Sequence, residues 1–247
     1  MASPDNISVL LVETQSAGNI GSVARAMKNM GFSELILVNC QTELTDEATH
    51  FACGADDVLE NCRRFGSLRE ALGRFNLSVG TSSRRVDWIP QVYCPDELAQ
   101  RLANLSPSQK IALVFGPERT GLTNEHLHLC QWLVTIPSNP EFESLNLAHA
   151  VAIILYEVSG RLVGTPPGRA FQLARLDQVE AFFQDLETSL IEIGFLNRKD
   201  PERIMATLRQ ILARASLEQR DLSILRGILR QWSWYAGELR RGKSEPS

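Results

Sequence analysis

Two hydrophobic periods alternate through the first two-thirds of the chain, and only one of them continues into the last third. Short runs rich in Val, Ile and Leu occupy residues 7–13, 34–39, 76–81, 110–115 and 132–136. Each is bounded by turn residues, as strands buried on both faces of a parallel sheet are. Between them apolar residues recur at helical spacing. In residues 20–30 these are Ile20, Val23, Met27 and Met30, and Gly31 then offers a helix stop. Ser67 and Glu70 form a capping-box pair ahead of Ala71 and Leu72. Residues 95–105 and 123–130 are further helix candidates. Residues 145–158 are apolar on nearly every face, which predicts a buried helix.

Beyond residue 160 no strand-like run occurs. Alternating strand and helix followed by helix alone predicts an α/β domain with a parallel sheet flanked by helices, then a small all-helical domain. The Gly- and Pro-rich stretch 160–168 marks the joint. The expected division is a first domain at 1–163, a linker at 164–172 and a helical domain at 173–247. Within the last, residues 173–193 are amphipathic and stop at Gly194. Asp200 and Pro201 suit the N-cap and first position of a helix reaching about residue 215, and 218–239 form the final one.

Composition excludes several classes. The longest uninterrupted apolar run is residues 150–156, well short of the ~20 residues a membrane helix needs. The first six residues carry no basic n-region, so no secretory signal is expected and the cytoplasm is the default compartment. Five cysteines with no CxxC spacing and four scattered histidines suggest neither a disulfide framework nor a metal set, so no metal is expected. The net charge of −4 is unevenly spread. Residues 1–160 hold 11 basic and 18 acidic side chains (11 − 18 = −7), while residues 194–243 hold 11 and 5 (11 − 5 = +6). A basic tail on an acidic body is either a polyanion footprint or a solubilising helical surface.

Four segments place polar chemistry at strand ends, where open α/β sheets gather ligands. The first is Asn19 to Arg25, after the first strand. Arg25 falls opposite the apolar stripe, with Ser22 and Asn29. It is either a solvated surface arginine or a cation held over a neighbouring phosphate, carboxylate or ribose. The second runs through Gly116, Pro117, Glu118, Arg119 and Gly121. A glycine there lets a ligand approach the backbone, although an ordinary strand-to-helix turn would look the same. The third runs from Ile136 and Pro137 to Ser144, Leu145 and Asn146, where Ser144 is either a helix N-cap or a ligand contact. The fourth carries Thr81, Ser82, Ser83, Arg84 and Arg85. GxGxxG, GxxxxGK[ST] and GxSxG are all absent, which weakens a dinucleotide fold, a P-loop enzyme and an α/β-hydrolase.

Taken in order, these segments resemble the SPOUT superfamily of RNA methyltransferases. Asn19-x-Gly21-x-x-x-Arg25 is similar to its first motif, and Phe115-Gly116-x-Glu118-x-x-Gly121-Leu122 to its second. Ile136-Pro137 followed by Ser144-Leu145-Asn146-Leu147-Ala148 is similar to its third. Leu11 to Thr14, Asn139 to Glu141 and Leu222 to Leu229 narrow the resemblance to bacterial tRNA 2′-O-methyltransferases of that superfamily.

The resemblance implies a parallel sheet with a deep C-terminal trefoil knot, an exception to the rule against knots. It implies a homodimer that uses S-adenosylmethionine and methylates the ribose 2′-OH of nucleotide 32 in the tRNA anticodon loop. It implies that Arg25 and Ser144 are catalytic. Thr81, Ser82, Ser83, Gly116, Ile136, Ser144, Leu145 and Asn146 would hold the cofactor. Asn19, Arg84, Arg85, Glu118 and Arg119 would face RNA, and Glu118 could orient Arg25 or the neighbouring loop. The alternatives are another tRNA or rRNA position, a non-enzymatic RNA-binding module, or a small-molecule enzyme on an ordinary doubly wound sheet.

Overall fold

Strands buried on both faces need no alternation, and the centre of the sheet has none. β1 (Ile7–Val12) and β6 (Ile111–Phe115) are neighbours and are buried at every position. They sit within a seven-stranded sheet with β2 (Glu34–Val38), β3 (Arg63–Phe65), β4 (Leu77–Thr81), β5 (Val92–Tyr93) and β7 (Trp132–Val134). Its order is β3-β2-β1-β6-β4-β7-β5, with every pairing parallel. The computed structural model describes residues 3–83, 86, 88, 91–162, 172–197 and 200–242.

The two edge strands escape the sequence reading because neither carries an apolar run. In β3, Arg63 and Arg64 are exposed. Arg63 pairs with Glu34 at 3.4 Å, and Arg64 donates to the carbonyls of Cys40 and Thr42 at 2.9 and 2.8 Å. Charged side chains of this kind protect a sheet edge from further pairing. β5 is two residues long.

The helices of this unit are α1 (Ala17–Asn29), α2 (Asp46–Ala52), α3 (Asp56–Glu60), α4 (Leu68–Leu72), α5 (Pro95–Ala103), α6 (Asn124–His128) and α7 (Leu147–Leu162). α1 starts three residues before the apolar stripe, because the Ser16 hydroxyl accepts the Asn19 N–H at 3.2 Å and caps it there. Gly31 ends it with φ +81°. Gly21 has a packing role: a Cβ there would lie 2.1 Å from the Ala48 carbonyl oxygen, so α1 and α2 touch backbone to backbone.

α7 departs from expectation twice. It runs through Gly160 to Leu162, so the chain is still helical where the sequence suggested a linker, and residues 163–171 lie outside the described residues. Nor is it buried all round. Val151, Ile154, Leu155 and Val158 are fully buried, but Ile153 and Tyr156 are 38% and 63% exposed. Among the described residues of this unit, none covers that face.

Residues 1–172 and 173–247 form separate compact units. The second contains α8 (Leu176–Glu192), α9 (Glu202–Ala213) and α10 (Gln219–Gly242) around a core that includes Phe182, Phe183, Leu186, Met205, Leu222 and Leu229. Arg209 holds Glu180 with two bonds of 2.7 and 3.0 Å, and its guanidinium lies 4.4 Å from the Phe183 ring centre. Pro201 rather than Asp200 stands at the cap position of α9, its carbonyl accepting the Met205 N–H at 3.1 Å, although its backbone is already helical (φ −79°, ψ −21°). Among the described residues no helix is long and apolar enough to cross a membrane.

Candidate active site

From β1 the chain adds β2 and β3 on one side, then crosses to place β4 beyond a gap that β6 later fills. Parallel sheets bind ligands at the carboxyl ends of strands near such a reversal. The loops leaving β4, β6 and β7 meet there. They enclose a cavity of about 290 Å³, near the lower size limit of small-molecule sites, about 300 Å³.

Of the residues singled out by sequence, Thr81, Ser82, Ser83, Gly116, Glu118, Arg119, Ile136, Ser144 and Leu145 all line this one cavity. Phe115, Leu122, Val134, Leu147 and Ile154 give it an apolar floor, and hydroxyls from β4 and Ser144 sit at its margin. Gly116 admits no side chain: a Cβ would stand 2.3 Å from the Gly121 carbonyl carbon and the Leu122 nitrogen. The turn closes through a Gly121 N–H to Pro117 carbonyl bond of 2.9 Å, with Gly121 at φ +64°. Among the described residues the lining carries Glu118, Glu143 and Arg119, a surplus of one negative charge.

Asn146 stands between the lining residues Leu145 and Leu147, is not itself in the lining, and acts on the helix. Its Oδ1 accepts the N–H groups of Ala148 and His149 at 2.9 and 3.4 Å, so Asn146 caps α7, and Ser144 is left to face the cavity. Asn19 sits outside the lining and joins two other motifs. Its Nδ2 donates to Glu118 Oε1 at 3.0 Å, and its Oδ1 accepts Asn146 Nδ2 at 3.0 Å. The Glu118 carboxylate also accepts the backbone N–H groups of Gln15 and Ser16, both at 3.3 Å. It therefore rests on the positive end of α1. Arg25 is on the exposed face of α1, outside the cavity lining. Arg84 and Arg85 lie outside the described residues.

The sequence reading missed Glu143, Thr120 and the inward face of α7 at Leu147, Ala150 and Ile154. The α7 face had a signal, since an apolar helix beginning at a ligand loop must present some of its side chains to that loop. Glu143 had none.

The fold and these loops define a SpoU-type methylase: residues 6–156 match the SpoU rRNA Methylase family. Residues 177–244 match the C-terminal domain of tRNA methyltransferase TrmJ. The tRNA (cytidine/uridine-2′-O-)-methyltransferase TrmJ of Pectobacterium atrosepticum is 46% identical over 91% of this chain and 95% of its own length. The chain belongs to the TrmJ family of methyltransferases and is an enzyme. The tRNA (cytidine/uridine/adenosine-2′-O-)-methyltransferase TrmJ of Pseudomonas aeruginosa is 41% identical over 91% of this chain and 93% of its own. The crystal structure of TrmJ from Z. mobilis ZM4 superposes with a TM-score of 0.78 at 32% identity, covering 92% of this chain and 98% of that one. The SpoU methyltransferase AviRb from Streptomyces viridochromogenes, in complex with the cofactor AdoMet, has a TM-score of 0.50 at 25% identity. That match covers 67% of this chain and 61% of AviRb.

Proposed function

We propose that the protein transfers a methyl group from S-adenosylmethionine to the ribose 2′-OH of nucleotide 32, a cytidine or uridine, in the tRNA anticodon loop. One observation carries the reading: the loops after β4, β6 and β7, each picked out as a separate polar segment at a strand end, line a single cavity. That cavity fits the donor. Its apolar floor suits adenine, its hydroxyls suit ribose and the methionine end, and its surplus carboxylate suits a sulfonium cation.

The donor supplies an electrophilic methyl group on a positively charged sulfur. In-line displacement forms the C–O bond as the S–C bond breaks, and the 2′-hydroxyl proton must leave. The chain's task is alignment and help with that proton. A guanidinium holds its own protons too tightly to be an ordinary base. Arg25 therefore binds the target phosphate and polarises the ribose oxygen, and the proton passes to a phosphate oxygen or to solvent. Ser144 hydrogen-bonds the reacting ribose or the methionine end of the donor. Arg119, exposed at the lining, contacts RNA, and Arg84 and Arg85 join it. Asn19 and Glu118 act by fixing the start of α1, the helix that carries Arg25.

A homodimer belongs to the same reading, with Arg25 reaching the partner's cavity. Its support is the position of Arg25 outside its own cavity lining and the uncovered Ile153 and Tyr156 on α7. The trefoil knot of the superfamily would be formed by the loops around the donor. The helical unit is the RNA-binding part: Arg203 on α9 and Arg220 and Arg230 on α10 are exposed, and so are Trp232, Trp234 and Tyr235 further along α10. Cations next to aromatic rings are a common surface for single-stranded RNA. The second reading, an rRNA position, is favoured by the family description matched at residues 6–156.

Calorimetry with S-adenosylmethionine, followed by transfer of labelled methyl to mixed tRNA and, in parallel, to rRNA, tests the proposal. Saturable one-site binding and labelled tRNA are expected. Donor binding with label only on rRNA moves the reading to its second form, and absence of donor binding overturns it.

A further inference from the structure

The loop between β7 and α7 holds an aromatic ring in water. Phe142 is 78% exposed, more than any other large apolar side chain among the described residues. Its turn is nevertheless fixed. The Phe142 N–H donates to the Asn139 carbonyl at 2.8 Å, Asn139 Oδ1 accepts the Glu141 N–H at 3.0 Å, and the Ser138 hydroxyl donates to the Glu143 carbonyl at 3.1 Å. The next three residues, Glu143, Ser144 and Leu145, line the cavity. Two residues of chain span at most about 7 Å, so the ring stands within one nucleotide's reach of Ser144. Burial in the fold does not account for a ring held there.

We propose that Phe142 is the stacking platform for the base of the nucleotide whose ribose is methylated. The inference rests on the proposed function, which brings a ribose to Ser144; the base on that ribose has to lie beside the cavity mouth. An unpaired loop nucleotide can offer its flat face, and an exposed phenyl ring accepts any base that way. The ring has no donor or acceptor with which to read a base edge. A phenyl platform therefore tolerates pyrimidines alike, and selects for an unpaired base by shape and stacking.

The test uses the full-length protein and two tRNA substrates, one normal and one abasic at the mapped target nucleotide. Phe142→Ala is expected to lower kcat/KM on normal tRNA by between about 5-fold and 150-fold, the range for removal of one base–aromatic stack. On abasic tRNA, wild type and Phe142→Ala should be equal. Phe142→Tyr should keep the wild-type rate and Phe142→Leu should not. Donor affinity and elution volume should stay unchanged throughout. The proposal is overturned if Phe142→Ala retains the wild-type kcat/KM, or if its loss is the same on abasic tRNA. It is also overturned if Phe142→Ala changes the elution volume, which would make the ring a contact between copies of the chain. A wild-type protein that methylates no RNA at all would instead remove the functional reading on which this inference stands.

Discussion

The side-chain amide of Asn146 donates to the side-chain carbonyl of Asn19 at 3.0 Å, joining residues 127 positions apart. The polarity of this contact is fixed from both ends. The Glu118 carboxylate only accepts, so Asn19 must turn its NH₂ toward it and its oxygen toward Asn146. Asn146 then presents its own oxygen to the N–H groups of Ala148 and His149. One amide thus orients three pieces of the site: the turn after β6, the start of α1 and the start of α7.

Asn19→Asp should break this relay, because two carboxylates would then face each other. A loss of about 1–3 kcal/mol in unfolding free energy is expected, measured by denaturant titration. Adding Glu118→Gln should recover part of it, since a glutamine NH₂ in place of Oε1 can donate to the new carboxylate while its oxygen still accepts from Gln15, at the loss of the Ser16 bond. Additive effects in that double-mutant cycle would show that the pairing has no structural weight.

Two glycine substitutions should separate stability from binding. Gly116→Ala puts a Cβ 2.3 Å from the backbone of Gly121 and Leu122 and must rebuild the cavity wall, so donor affinity should fall at least tenfold by calorimetry. Gly21→Ala meets the Ala48 carbonyl at 2.1 Å, away from the cavity lining. Overpacking there should cost about 1–3 kcal/mol of stability with donor affinity largely kept.

Arg25→Ala should abolish turnover while leaving donor affinity within about twofold, because Arg25 lies outside the cavity lining. Arg25→Lys should restore little, since a lysine cannot grip phosphate with a planar fork. Single-turnover kinetics and calorimetry on the same preparations check this. A near wild-type rate for Arg25→Ala would remove it from the chemistry.

Deleting residues 173–247 should weaken tRNA binding far more than donor binding. Arg220→Ala with Arg230→Ala should act in the same direction and flatten the salt dependence of tRNA affinity, by about one unit of slope for each phosphate no longer neutralised. Arg209→Ala should behave differently. Its guanidinium is committed to Glu180 and Phe183, so the helical unit should melt earlier. Filter binding across a salt series and thermal unfolding distinguish the two classes.

Cys130 gives a pH prediction. Burial pushes its thiol up from 9.0 to about 12. Between those values the unfolded chain releases the proton and the folded chain retains it. This contribution to stability is therefore complete below pH 9 and declines as pH rises toward 12. In the folded protein at pH 8 the thiol should resist alkylation, whereas exposed Cys53 reacts. Rapid labelling of Cys130 under native conditions, read by peptide mass spectrometry, would contradict this.

The central strands and longer helices were legible because burial on two faces leaves an apolar run and burial on one leaves a stripe. β3 and β5 were not: β3 is three residues led by two arginines and β5 is two residues, too short for either signal. α1 begins at Ala17, behind the Ser16 cap, rather than at its first large apolar residue, because a cap sets the end of a helix and a stripe only shows its inner face. The cavity residues were legible through glycine and hydroxyls at strand ends. The arrangement of Asn19, Glu118 and Asn146 was not, because a hydrogen bond across 127 residues leaves no local pattern. The open face of α7 misled for a related reason. Ile153 and Tyr156 are as apolar as buried neighbours, and sequence does not tell which body covers them.

The most direct test of the account is to incubate the protein with tRNA and isotope-labelled S-adenosylmethionine, digest the RNA, and locate the label by mass spectrometry. The account predicts one methyl group on the ribose 2′-oxygen of the pyrimidine at position 32. Label on a base, at a different position, or absent from tRNA that the protein binds together with the donor would contradict it.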